Sequence, residues 1–137
     1  MAEAAISSGA ALEKFRVLVR AQGGDVSFVD DPSKFPKAKF IEVVKADRSG
    51  TLSRVHARVI GEAAVALGAG RERKSDPVDH TVGFIIHHKV GEWVEKKQPL
   101  FTIHASEAGK QAEARGRLLA AFEWSDRPVR PLPLFYE

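Results

Sequence analysis

The chain has 137 residues, 44% of them hydrophobic and 28% charged, a composition that excludes a disordered or fibrous chain and allows one compact domain with or without a short docking segment. It has no cysteine, which removes disulfides, thiolate metal ligands and cysteine nucleophiles together and fits a reducing compartment such as the cytoplasm. The net charge is +3, with 21 basic residues interleaved among 18 acidic ones, and the densest basic run, Arg71, Arg73 and Lys74 around Glu72, has no neighbouring aromatic residue on which a base could stack, which argues against nucleic acid.

In chain order, Leu12, Phe15, Leu18 and Val19 recur at helical spacing. They predict a helix over 11–21, with Ser7 or Ser8 as its N-cap and Gly23-Gly24 as its stop. Asp30-Asp31-Pro32-Ser33 and Pro36 break that pattern, so residues 23–37 are expected to be loop. Phe40–Val44 and Thr51–Val55 read as strands around the turn residues Asp47–Gly50. Val59, Ile60, Ala63, Ala64 and Leu67 share one face of a second helix over 57–68, with Gly68 and Gly70 available for a left-handed C-cap.

Three short strands follow, over 82–86, 89–94 and 98–103, with tight turns at Gly91 and at Lys96-Lys97-Gln98. A third helix is expected from Ser106 to about Trp124, with Ala112, Leu118, Leu119 and Phe122 as its apolar face. The proline-punctuated tail from Arg127 reads as extended, with Leu134-Phe135-Tyr136 as a candidate edge strand. The expected class is α+β: a small curled antiparallel β unit, barrel-sandwich-like and made of two hairpin-like halves, with about three flanking helices. No apolar run reaches the roughly 20 residues that cross a bilayer, and residues 1–5 lack the basic start and apolar stretch of an export signal. No membrane partner is expected.

Chemistry-bearing residues are sparse. Gly68-Ala69-Gly70 follows a helix, whereas a dinucleotide-binding loop follows a strand and opens a helix, so a turn is the better reading. His87 and His88 alternate across a strand, and His56, His80 and His104 show no ligand spacing, so each histidine is expected to be superficial or structural and no metal site is assigned. Asp76 and Asp79 flank Pro77, which breaks the helix that would align them as acid and base, leaving turn and capping roles. Trp93, Phe84 and Phe101 alternate with polar residues and are expected in the core.

One ordered series of residues goes further. Ala63–Arg71 is followed by Lys74-Ser75-Asp76-Pro77-Val78-Asp79-His80-Thr81-Val82-Gly83, and the register continues through Lys89-Val90-Gly91, Pro99-Leu100 and Ile103-His104-Ala105. Upstream it takes in Val43–Ala46, Ser49-Gly50, Ser53-Arg54 and the turn Gln22-Gly23-Gly24-Asp25. This series resembles the C-terminal domain of the thymidine and pyrimidine-nucleoside phosphorylases. The resemblance implies the last third of such an enzyme: residues 1–34 as a helix and loop closing the preceding α/β region, and residues 35–137 as the C-terminal domain.

It further implies phosphorolysis of pyrimidine nucleosides by phosphate in the intact enzyme, a homodimeric parent, and no cofactor. Because the family's phosphate- and base-binding groups lie upstream, no catalytic residue is assigned to this chain, and the missing N-terminal part becomes its implied partner. What carries over is the loop with Gly68, Gly70, Arg71 and Lys74, expected at the substrate cleft, where Arg71 would act as the cleft closes. A rival reading comes from Val90–Leu100, which also resembles the Val-Gly-Asp to Gly-Gln-Pro-Leu stretch of biotinyl and lipoyl carriers. The tripeptides that bear a carrier's modified lysine, Met-Lys-Met or Asp-Lys-Ala, do not occur. A third reading is a purely structural interaction domain.

Overall fold

The computed structural model describes residues 2–71, 73–133 and 135. They form two compact units, one ending at Pro36 and the other beginning at Lys37.

In the first unit, α1 (Ala2–Ser7) precedes α2 (Ala10–Ala21). The alanine-rich start favours helix strongly enough to form a turn of its own, and this displaces the expected cap. Ser7 ends α1, and Gly9, left-handed at φ 77°, stands at the N-cap of α2 without a side-chain bond. The C-terminus follows expectation. Gly23 is left-handed at φ 77°, its N–H donates to the Arg20 carbonyl, and Gly24 N–H donates to the Val19 carbonyl at 2.9 Å, the paired bonds of a Schellman motif.

Residues 23–37, expected as loop, contain a helical turn α3 (Ser27–Asp30) and a 3-10 turn at Pro32–Lys34. Two aspartates nucleate them: Asp25 accepts from Ser27 N–H at 2.8 Å, and Asp31 accepts from Ser33 N–H at 3.1 Å. Pro32 fits because the first turn of a helix needs no N–H there. Arg16 ties this segment to α2 through Asp30 at 2.7 Å. None of the described residues of this unit is buried, and Leu12, Phe15, Leu18 and Phe35 are each about half exposed.

The second unit carries β1 (Phe40–Lys45), β2 (Gly50–Val55), α4 (Ala57–Ala64), β3 (Gly83–Ile86), β4 (Trp93–Val94), β5 (Pro99–Ala105), α5 (Ala108–Ala120) and β6 (Phe122–Ser125). The strands make two antiparallel three-stranded sheets, in the orders β1-β5-β3 and β4-β2-β6. The α+β class and the small antiparallel unit are therefore as expected, and among the described residues the two sheets do not close into a barrel. Within it, each half divides its strands between the sheets. The Asp47–Ser49 bend carries the chain from β1 in one sheet to β2 in the other, and β1 pairs with β5 from Phe40↔Ala105 to Lys45↔Pro99.

The helix expected to about Trp124 ends at Ala120, and Phe122–Ser125 is a strand on β2 with Val55↔Phe122 and Leu52↔Trp124 in register. Phe122 lies four residues after Leu118 and so mimics helical periodicity, but it enters the core as a strand residue and stacks on Phe101 with ring centroids 5.6 Å apart. Helix α5 faces inward through Ala114 and Leu118, while Ala112, expected on that face, is exposed. Ala112 precedes Leu118 by six positions, about 120° away around the helix.

Between the sheets and helices lie Leu52, Val94, Leu100, Phe101, Ile103 and Leu118, all essentially solvent-free. Each such side chain stabilises the fold by roughly 1.5–3 kcal/mol relative to exposure. Trp93 departs from expectation. Alternation along β4 sends Val94 inward and leaves Trp93 57% exposed. In the turn before β5, Lys97 is left-handed at φ 74°, and its N–H donates to the Ala46 carbonyl at 2.8 Å. In the tail, Pro131 lies against Gly91, where a Cβ would meet the Pro131 nitrogen at 2.7 Å. The strand expected over 134–136 falls on positions of which 134 and 136 lie outside the described residues. No helix among the described residues is long and apolar enough to cross a membrane.

Candidate functional site

Helix α4 presents Ala63 and, one turn on, Leu67 to the core. Past Ala64 it widens into a π turn over Val65–Ala69 that ends where Gly68 turns left-handed, φ 113° and ψ 1°. The nearest atoms to a Cβ at Gly68 would be 3.8 Å away, so backbone conformation rather than space requires glycine here. Gly70 differs from expectation. It is extended, at φ −139° and ψ −177°, and its reason is close approach, because a Cβ there would sit 2.7 Å from Val65 Cγ2.

From Gly70 the chain leaves as an exposed basic loop bearing Arg71, Arg73 and Lys74. Asp76 gives it an inner turn, accepting from Arg73 N–H at 2.7 Å while its own N–H donates to the Arg73 carbonyl at 3.0 Å. The loop returns to its origin at Asp79, whose N–H donates to the Gly68 carbonyl at 2.9 Å. The Asp79 carboxylate accepts from Thr81 N–H at 2.9 Å, from Thr81 Oγ1 at 2.6 Å and from Ser106 Oγ at 2.6 Å. The Ser106 hydroxyl, then the hydroxyl and N–H of Thr81, hold its pKa down to about 2, because each donor stabilises the ionised form.

Asp79 and Ser106 line a solvent-open cleft of about 280 Å³ with Gly68, Pro77, Glu107 and Lys110. Lys110 pairs with Glu107 at 2.8 Å. Of the four residues expected at a substrate cleft, Gly68 lines this one, whereas Gly70, Arg71 and Lys74 stand on the loop beyond its described lining. The turn roles expected for Asp76 and Asp79 are what the structure holds. The third helix was expected to start at Ser106, but it starts at Ala108 with Glu107 at the cap position, and the Ser106 hydroxyl turns to Asp79. Only the fold brings these two together, across 27 positions of sequence.

The histidines that were expected to be structural include three with polar partners. His56 Nε2 lies 2.5 Å from Glu123, His87 Nε2 2.8 Å from Thr102 Oγ1, and His88 Nδ1 3.1 Å from Glu92. No group of three metal-ligating side chains occurs among the described residues. Asp79 is ionised and occupied by its three donors, which suits it to holding a loop rather than to moving a proton.

Residues 51–125, from the second residue of β2 to the last of β6 and including the whole loop and cleft, match the family described as pyrimidine nucleoside phosphorylase C-terminal domain. The chain belongs to that family. Among relatives, it is 39% identical over 137 residues to the pyrimidine-nucleoside phosphorylase of Geobacillus stearothermophilus, covering 100% of this chain and 31% of the relative. The corresponding enzyme of Bacillus subtilis is 47% identical over 104 residues, 76% of this chain and 24% of the relative. That of Staphylococcus aureus is 42% identical over 102 residues, 74% of this chain and 24% of the relative. This C-terminal-domain chain thus spans about a third or less of the phosphorylases it matches.

Proposed function

We propose that the chain serves as the C-terminal domain of a pyrimidine-nucleoside phosphorylase, in which phosphate displaces the base from a pyrimidine nucleoside to give free base and a pentose 1-phosphate. The observation that carries this reading is the family match over residues 51–125 joined to 39% identity along all 137 residues with one such enzyme, of which they form 31%. In this reading residues 1–34 close the preceding α/β region, residues 35–137 complete the cleft between domains, and the chain alone is not catalytic. The parent is a cytoplasmic homodimer.

The half-exposed Leu12, Phe15, Leu18 and Phe35 of the first unit support a covering partner, since apolar side chains this concentrated mark an interaction surface. The loop with Gly68, Gly70, Arg71 and Lys74 is assigned to the cleft as a cationic contact for the phosphate-bearing substrates. Its exposed guanidinium and ammonium groups suit that work, and Arg71 in particular can grip two phosphate oxygens at once. The test is association: sedimentation of this chain mixed with the part of the G. stearothermophilus relative outside the match is expected to show a stable complex. Independent sedimentation of the two pieces at micromolar concentration would contradict the proposal.

A further inference from the structure

The basic loop leaves the body at Gly68 and rejoins it at Asp79, and its two roots are joined by the bond from Asp79 N–H to the Gly68 carbonyl. What secures that junction comes from elsewhere in the chain. Ser106, between the end of β5 and the start of α5, donates its hydroxyl to Asp79 Oδ2 at 2.6 Å, and Thr81 donates both N–H and hydroxyl to Oδ1. The Thr81 and Ser106 hydroxyl oxygens are themselves 3.3 Å apart, closing a three-residue ring. Bonds to an ionised acceptor are roughly twice as strong as neutral ones, and the site is half-buried, where they are screened less than on open surface.

We propose that Asp79, Thr81 and Ser106 are a latch that roots the basic loop against the start of α5, so that Asp79 and Ser106 are positioning residues for Arg71 and Lys74. The proposal rests on the cleft reading of that loop for its purpose, though not for its geometry. The latch touches no substrate. It sets where the loop's cations stand, and losing it would weaken capture of phosphate without altering the chemical step.

The test has two arms. In the first, the full chain and its Ser106→Ala, Ser106→Thr and Asp79→Asn variants are exposed to trypsin, whose target residues Arg71, Arg73 and Lys74 lie on the loop, and cleavage there is timed by mass spectrometry. Losing one bond to a charged group predicts cleavage about tenfold faster in Ser106→Ala, with the thermal midpoint lowered by only a few degrees and the rate restored in Ser106→Thr. Asp79→Asn, which keeps the side chain's size, is expected to quicken cleavage likewise and stands in if Ser106→Ala does not fold. Unchanged loop cleavage in both folded variants would overturn the latch. In the second arm, the chain is combined with the rest of the relative: Ser106→Ala is expected to raise the KM for phosphate several-fold with kcat little changed, and an unchanged KM would overturn the positioning role. If the unaltered combination shows no turnover, the phosphorylase reading fails by itself, and the trypsin arm still decides the latch.

Discussion

Asp79 remains a carboxylate down to about pH 2, below its ordinary 3.8, because hydroxyl donors from Ser106 and Thr81 stabilise the charge. Its folded-state pKa is depressed, so the stabilisation is complete above about pH 4 and is lost as pH falls toward 2. Its charged neighbours are His80, Lys110 and Glu107. The expected outcome is that the urea midpoint of the wild-type chain exceeds that of Asp79→Asn at neutral pH, and that the difference shrinks between about pH 4 and pH 2. A constant difference across that window would contradict the assignment. The turn role of Asp79 was legible in the sequence, whereas its bond to Ser106 was not, since nothing local directs that hydroxyl at Asp79. The glycines show the same division. Gly68 was readable as a left-handed stop, but the need for Gly70 arises from Val65 packing against it.

Elements with one clear period were the most legible. Helix α2, α4 and the strands β1 and β2 lie where periodicity and turn residues place them, because one buried face per element leaves a regular imprint. The junction of α5 and β6 was misread for a physical reason: Leu118 and Phe122 stand one helical turn apart in sequence, yet the chain leaves the helix at Ala121 and Phe122 fills the core from a strand. The tight packing there gives a prediction at this scale. Leu118 is fully buried beneath both sheets' shared core, so Leu118→Ala is expected to lower stability by about 2–5 kcal/mol, measured by urea unfolding of the chain. A loss below about 1 kcal/mol would show that α5 does not seal the core as described.

At the scale of the molecule, the sequence revealed an antiparallel unit but not its pairing. Strands β1 and β2 are neighbours in sequence and belong to different sheets, a choice made by long-range partners such as β5 and β6 that carry no local signature. The relation to phosphorylases was legible only through resemblance, because among the described residues the sequence pattern marks a basic loop and its turns rather than a paired acid and base. We propose on that ground a C-terminal domain that completes a phosphorylase without supplying its reacting groups. The direct measurement is phosphate-dependent release of uracil and thymine from their nucleosides, assayed with this chain alone, with the rest of the G. stearothermophilus relative alone, and with the two combined. Release above either component only in the combination is the predicted result. Turnover by this chain alone, or no gain on combination, would contradict it.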